Sequence, residues 1–216
     1  MLAKTHTFTQ KQEIGNSVSH GLGIVFSLVA FVLLVFSTVR QGNLLHLISA
    51  LVFASTMLLL YSCSTLLHSL PPGRAKNVFE ILDHSAIYLF IAGSYTPLLL
   101  ILVKGREAGI LLSLIWTIAL GGVVFKGFYV KEFLLLSTIG YIALGWMAVF
   151  VIQPILHALP FMGVFYLFAG GFFYTVGTIF YVWRKLTYHH TIWHLFVLAG
   201  SVCHFLLIYQ YVLPLS

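Results

Sequence analysis

Charge is what this chain lacks. Of its 216 residues, 11 are Lys or Arg and 5 are Asp or Glu, so 7% are charged, against about 25% in a soluble domain of average composition. So few charges cannot clothe a water-facing surface, and a soluble globular fold is excluded. Cysteine is nearly absent as well. Cys63 and Cys203 both lie in apolar stretches, which rules out a disulfide framework or a cysteine-type metal site and reads them as small hydrophobes. There is no internal repeat, no low-complexity tract, and none of the ten-residue alternating segments that a membrane barrel requires.

What is present is apolar. Hydrophobic residues make up 60% of the chain and aromatics 16%. A bilayer core of about 30 Å needs roughly 20 apolar residues per helix. Seven stretches qualify, at 17–39, 44–68, 81–103, 109–125, 133–152, 161–183 and 191–213. They are hydrophobic all round, as membrane helices are, and the remainder is too short for an extramembrane domain. The expected architecture is a single all-α bundle of seven transmembrane helices. The polar tail, residues 1–16, lacks a signal-peptide pattern, so the first span is expected to be retained. The longest connector, 69–80, carries Pro71, Pro72 and Gly73 as a turn, and the GSYTP stretch at 93–97 is a candidate kink in the third span.

The net charge of +6 would suggest nucleic acid in a soluble protein. Here the basic residues sit in short loops and set membrane orientation, and no nucleic-acid partner is expected. Lys4, Lys11, Arg74, Lys76, Lys126, Lys131, Arg184 and Lys185 fall on one side, and Arg40, Lys104 and Arg106 on the other. Eight against three puts the N-terminus in the cytoplasm and the C-terminus outside.

Ten histidines in so apolar a chain need an explanation. Ionisable residues at span ends either snorkel to the interface or form a site. Glu13, Asn16 and His20 open the first span, His68 ends the second, Asp83 and His84 begin the third, and His189, His190 and His194 begin the seventh. With His6, seven of the ten histidines thus fall on the cytoplasmic side, while His46 and His157 lie on the outer side. His204 is ten residues past His194, roughly 15 Å deeper by helical rise.

His190 and His194 are spaced i, i+4 and share a helix face, as two metal ligands from one helix must. His68 stands at the same depth on another span. Three neutral imidazoles suit Zn²⁺ and leave a fourth position open, the pattern of a catalytic site. Asp83 would hold or deprotonate water beside it. Ser64, one turn before His68, would donate a hydrogen bond to that water or to a developing oxyanion, or else bond back to its own helix. His20, His84 and His189 are read as interfacial or supporting residues. His204 is read as an interior histidine that supports the site if it shares that face.

The stretches EIGNSVSHGLG at 13–23, STLLHSLP at 64–71, ILDHSAIYLFIAGSYTP at 81–97 and HHTIWHLFVLAGSVCHFLLIY at 189–209 resemble the hemolysin III-like family of bacterial inner-membrane proteins. That family is the prokaryotic branch of the progestin and adipoQ receptors. The resemblance implies a seven-helix fold with an intramembrane zinc near the cytoplasmic face. The family's three zinc-binding histidines fall on His68, His190 and His194. Its aspartate, which meets zinc directly or through a water, falls on Asp83, and its serine on Ser64. The same pattern is similar to alkaline ceramidases, zinc amidases that cut the N-acyl bond of a sphingoid lipid, so the implied chemistry is hydrolysis of a lipid amide, with membrane lipids as partners. The family is also associated with membrane homeostasis and carries a hemolysin label. A non-enzymatic lipid sensor with a structural zinc, or a pore-forming or cytolytic protein, are the alternatives that it implies.

Overall fold

The structure, a computed structural model, describes residues 8–215; Lys4 and His6 lie outside the described residues. Seven helices in it are long and apolar enough to cross a membrane: α1 (Gln10–Gln41), α2 (Leu44–Ser69), α3 (Arg74–Val103), α4 (Gly105–Tyr129), α5 (Leu134–Ala158), α6 (Phe161–Val182) and α7 (His189–Val212). Among the described residues there is no strand. The all-helical seven-span architecture expected from hydropathy is therefore the one found.

The helix ends differ from the hydropathy reading in an informative way. α1 begins at Gln10 instead of 17, because Thr9 and Gln12 form a capping box there: the Thr9 N–H donates to Gln12 Oε1 at 2.8 Å and the Gln12 N–H to Thr9 Oγ1 at 3.4 Å. α1 stops at Gly42, whose φ of 68° is the left-handed conformation that glycine adopts without steric cost. Asn43 then caps α2 with its side-chain oxygen. The connector expected over 69–80 contracts to residues 70–73, and α3 starts directly after Gly73. In each case polar residues continue a helix beyond its apolar stretch, where a hydropathy window no longer follows it. Lys126, counted above as a loop residue, lies in the last turns of α4 and is buried.

Two helices are irregular in their interiors. Pro97 lies inside α3, where the missing N–H breaks the regular ladder, and the helix widens to a π-turn over Leu98–Val103. The Lys104 N–H then donates to the Leu99 carbonyl five residues back, at 3.0 Å. The stretch expected to kink thus marks a change of helical pitch. α5 tightens to a 3₁₀ turn over Met147–Val151. The Tyr95 hydroxyl of α3 holds that break, donating to the Gly145 carbonyl at 2.5 Å and accepting from the Ala148 N–H at 2.9 Å.

α1 packs between α2 and α7, α2 packs on α3, α6 on α7, and α5 closes the circuit between α3 and α6, with α4 outside on α3. The lipid-facing surface is apolar, with Phe128, Phe150 and Phe161 each more than three-quarters exposed. Inside the ring lies a cavity of about 340 Å³, lined almost wholly by apolar side chains. Its wall includes Trp146 and Val149 of α5 and Phe168 of α6, each of which is also well exposed. Its polar lining includes Asp83 and His20.

Candidate metal centre

His68, His190 and His194 are brought together from α2 and α7. One ring nitrogen of each lies within 4.8 Å of the other two, all three residues are buried, and they form the one such group among the described residues. The i, i+4 spacing of His190 and His194 puts their ring centroids 4.5 Å apart. The His68 ring stands 5.0 Å from His190 and 5.2 Å from His194. Phe8 and Trp193, each with its ring centroid 5.0 Å from that of His190, wall this cluster with aromatic surface.

Hydrogen bonding decides which nitrogen faces inward. His68 Nδ1 lies 2.6 Å from Glu13 Oε2. A carboxylate only accepts, so the proton sits on Nδ1, and in the neutral imidazole the Nε2 lone pair is free. Asn16 Nδ2 approaches the same nitrogen at 3.5 Å, too far to compete. His194 Nδ1 lies 3.1 Å from the Asn16 carbonyl and 3.0 Å from Ser19 Oγ. The Ser19 hydroxyl gives its own proton to that carbonyl at 2.8 Å, so Ser19 Oγ accepts from His194 as well. Both Nε2 atoms are then buried with no hydrogen-bond partner. Buried polar atoms are rarely left so, and a histidine that donates Nδ1–H to a carboxylate or carbonyl while offering Nε2 is the usual state of a metal ligand. The group fits a metal ion on its own donor chemistry, with three imidazoles of the kind that suit zinc, copper, iron or nickel.

Asp83 on α3 is buried, with Oδ2 3.7 Å from His84 Nδ1. It stands outside the three-histidine group and beside Ser64 of α2. Ser64 Oγ is fully buried and faces the Asp83 carboxylate, and no bond to its own helix is formed, so of the two readings of this hydroxyl the back-bond is not the one found. Asp83 and Ser64 thus lie beside His68 of α2, which in turn meets the two histidines of α7.

The other histidines separate. His84 accepts or donates between the Glu80 carbonyl at 2.8 Å and the Tyr181 hydroxyl at 3.2 Å, and His189 Nδ1 meets the Phe180 carbonyl at 3.0 Å; both tether helix ends. His46 holds the C-terminal segment through the Leu215 carbonyl at 2.8 Å. His204 packs against Gly170 and Tyr174 of α6 and lines the cavity; it belongs to the chamber and not to the cluster. His20 does more than sit at an interface. Its ring stacks on His194 with centroids 3.5 Å apart, and it faces the cavity.

Sequence reasoning missed the partners that orient the clustered histidines. Glu13, Asn16 and His20 recur at helical spacing on one face of α1, a polar stripe running into an apolar span, and that was the available signal. Nothing in the sequence pairs Glu13 with His68, or Lys76 with Glu13 at 2.8 Å.

Comparison with known proteins follows the same lines. A family model described as "Haemolysin-III related" matches residues 8–205. The chain is 47% identical over 204 residues to the "Hemolysin-3 homolog" of Bacillus subtilis (strain 168), covering 94% of this chain and 96% of that one. It is 44% identical over 216 residues to the "Hemolysin-3" of Bacillus cereus, covering 99% of each. A more distant likeness, 26% over 170 residues, joins it to the human "Monocyte to macrophage differentiation factor", with 76% of this chain and 70% of that one covered.

Proposed function

The chain belongs to the haemolysin-III related family, a multi-pass membrane protein by its seven apolar helices, and from that premise we propose that it is a zinc-dependent hydrolase of a lipid amide. The observation that carries this reading is the place of Asp83, which lines the apolar cavity and lies beside Ser64 and His68, the latter one of the three clustered histidines. Its place is the bacterial inner membrane, with the N-terminus in the cytoplasm. His68, His190 and His194 hold the ion, which when bound supplies Lewis acidity toward a carbonyl and toward water. Asp83 holds the attacking water, takes its proton onto a carboxylate oxygen and returns it to the departing amine. The Ser64 hydroxyl donates to the oxygen on which charge develops. The cavity receives the acyl chain and keeps bulk water out.

A metal acting only as a clamp needs neither a buried serine facing a buried aspartate nor an apolar chamber lined by that aspartate. The test is Asp83→Ala in purified, membrane-reconstituted protein, assayed for metal content and for fatty-acid release from a panel of N-acyl lipids. Metal content should be unchanged while turnover falls by about 10²-fold or more, the usual worth of a positioned base. Turnover equal to wild type overturns the mechanism.

A further inference from the structure

Glu13 bridges two groups that the metal reading alone does not connect. One carboxylate oxygen meets His68 Nδ1 at 2.6 Å, and the other accepts from Lys76 Nζ at 2.8 Å. Lys76 also donates to the Leu67 and Leu70 carbonyls, at 2.9 and 3.2 Å, which are unpaired acceptors at the C-terminal end of α2, one on each side of His68. A cation is favoured there by the helix dipole. The three residues come from three elements: Glu13 from the first turn of α1, His68 from the last turn of α2 and Lys76 from the first turn of α3.

We propose that Glu13, held by Lys76, is the positioning residue for His68, fixing its ring orientation and its Nδ1–H form so that Nε2 faces the metal. This rests on the metal reading above and concerns how the site is made ready, not which substrate it takes. The physical case is the loss that follows without it. An imidazole at a helix end has two ring orientations and two neutral forms, and only one combination offers Nε2 to the site. A carboxylate at 2.6 Å selects that combination before the metal arrives and makes the imidazole a stronger donor. Lys76 selects in turn for Glu13. With both carboxylate oxygens engaged, the side chain cannot swing away to water, although it is only about four-fifths buried. His194 has a neutral counterpart of this brace in the Asn16 carbonyl and Ser19. α1 thus supplies no ligand to the metal yet orients two of the three.

The experiment is a Zn²⁺ titration of the full chain in nanodiscs against a chromophoric chelator, with His194→Ala as the ligand-deficient reference. Glu13→Ala should bind Zn²⁺ about 10–100-fold more weakly than wild type. Glu13→Gln, which still accepts from Nδ1 but no longer pairs with the ammonium, should fall between them. Lys76→Met should weaken binding by several-fold, and Lys76→Arg should restore it. A role confined to holding helices together would lower the metal-free unfolding temperature and leave the ring unchanged. ¹⁵N spectra of metal-free protein should therefore report the Nδ1–H form of His68 in wild type and a mixture of both forms in Glu13→Ala. If Glu13→Ala does not fold, Glu13→Gln and Lys76→Met carry the same comparison. Wild-type affinity in the Glu13 variants, with an unchanged His68 ring, overturns the proposal and leaves the metal reading standing. Wild-type protein that binds no better than His194→Ala overturns the metal reading itself.

Discussion

Ser64 is the residue whose role the surrounding atoms narrow most. It is fully buried in an apolar helix, one turn before His68, and its hydroxyl faces Asp83 and makes no bond to its own helix. In a helix the carbonyl four residues back stands ready to take a hydroxyl, and Thr56 in the same helix makes that bond, to the Val52 carbonyl at 2.8 Å; Ser64 does not. Ser64→Ala should therefore leave folding and metal affinity close to wild type. Turnover should fall by about 10²-fold, in line with the loss of one oxyanion donor. Steady-state kinetics beside a metal titration check this, and unchanged kcat assigns Ser64 to packing. The residue types of this site were legible from spacing. That Ser64 had not spent its hydroxyl on its own helix was not, because both options share the same sequence.

At the scale of the element, α1 carries the weight. It packs on both helices that carry the clustered histidines, and it approaches α2 closely because Gly23 faces Tyr61: a Cβ there would stand 2.2 Å from the ring. Tyr61 is itself fixed, donating to Ser201 Oγ of α7 at 2.7 Å and lying edge-on to His20 at 5.0 Å. Gly23→Val should therefore push α1 away from α2 and carry Glu13 off His68. The overpacking itself costs about 1–3 kcal/mol or more, seen as a lower unfolding temperature together with weaker Zn²⁺ binding. Gly21→Ala, two residues away, meets nothing within 4 Å and should change neither. The seven spans were legible because lipid demands long apolar helices. The first turns of α1 and α3 were not, since their polar residues are helical only because capping and cross-helix partners satisfy them.

Over the whole molecule, α2 and α7 meet mainly through α1, so an ion shared by His68, His190 and His194 would join elements that otherwise have little direct contact. Binding that favours the folded state adds about 2.7 kcal/mol at a hundredfold excess over Kd. Chelation should thus lower the unfolding temperature of wild type in nanodiscs and leave that of His194→Ala where it was; equal shifts in both would mean that the metal bridges nothing. The sequence by itself determined the membrane class, the seven helices and the residue types of the centre, because hydropathy, charge and i, i+4 spacing are local properties of a chain. Tertiary structure alone decided that α1 faces the histidine cluster with Glu13, Asn16 and Ser19, that His204 lines the chamber instead of joining the cluster, and that Asp83 lines that chamber too. Those depend on which helix faces are turned inward, and a helix hydrophobic on all sides carries no record of which face that is.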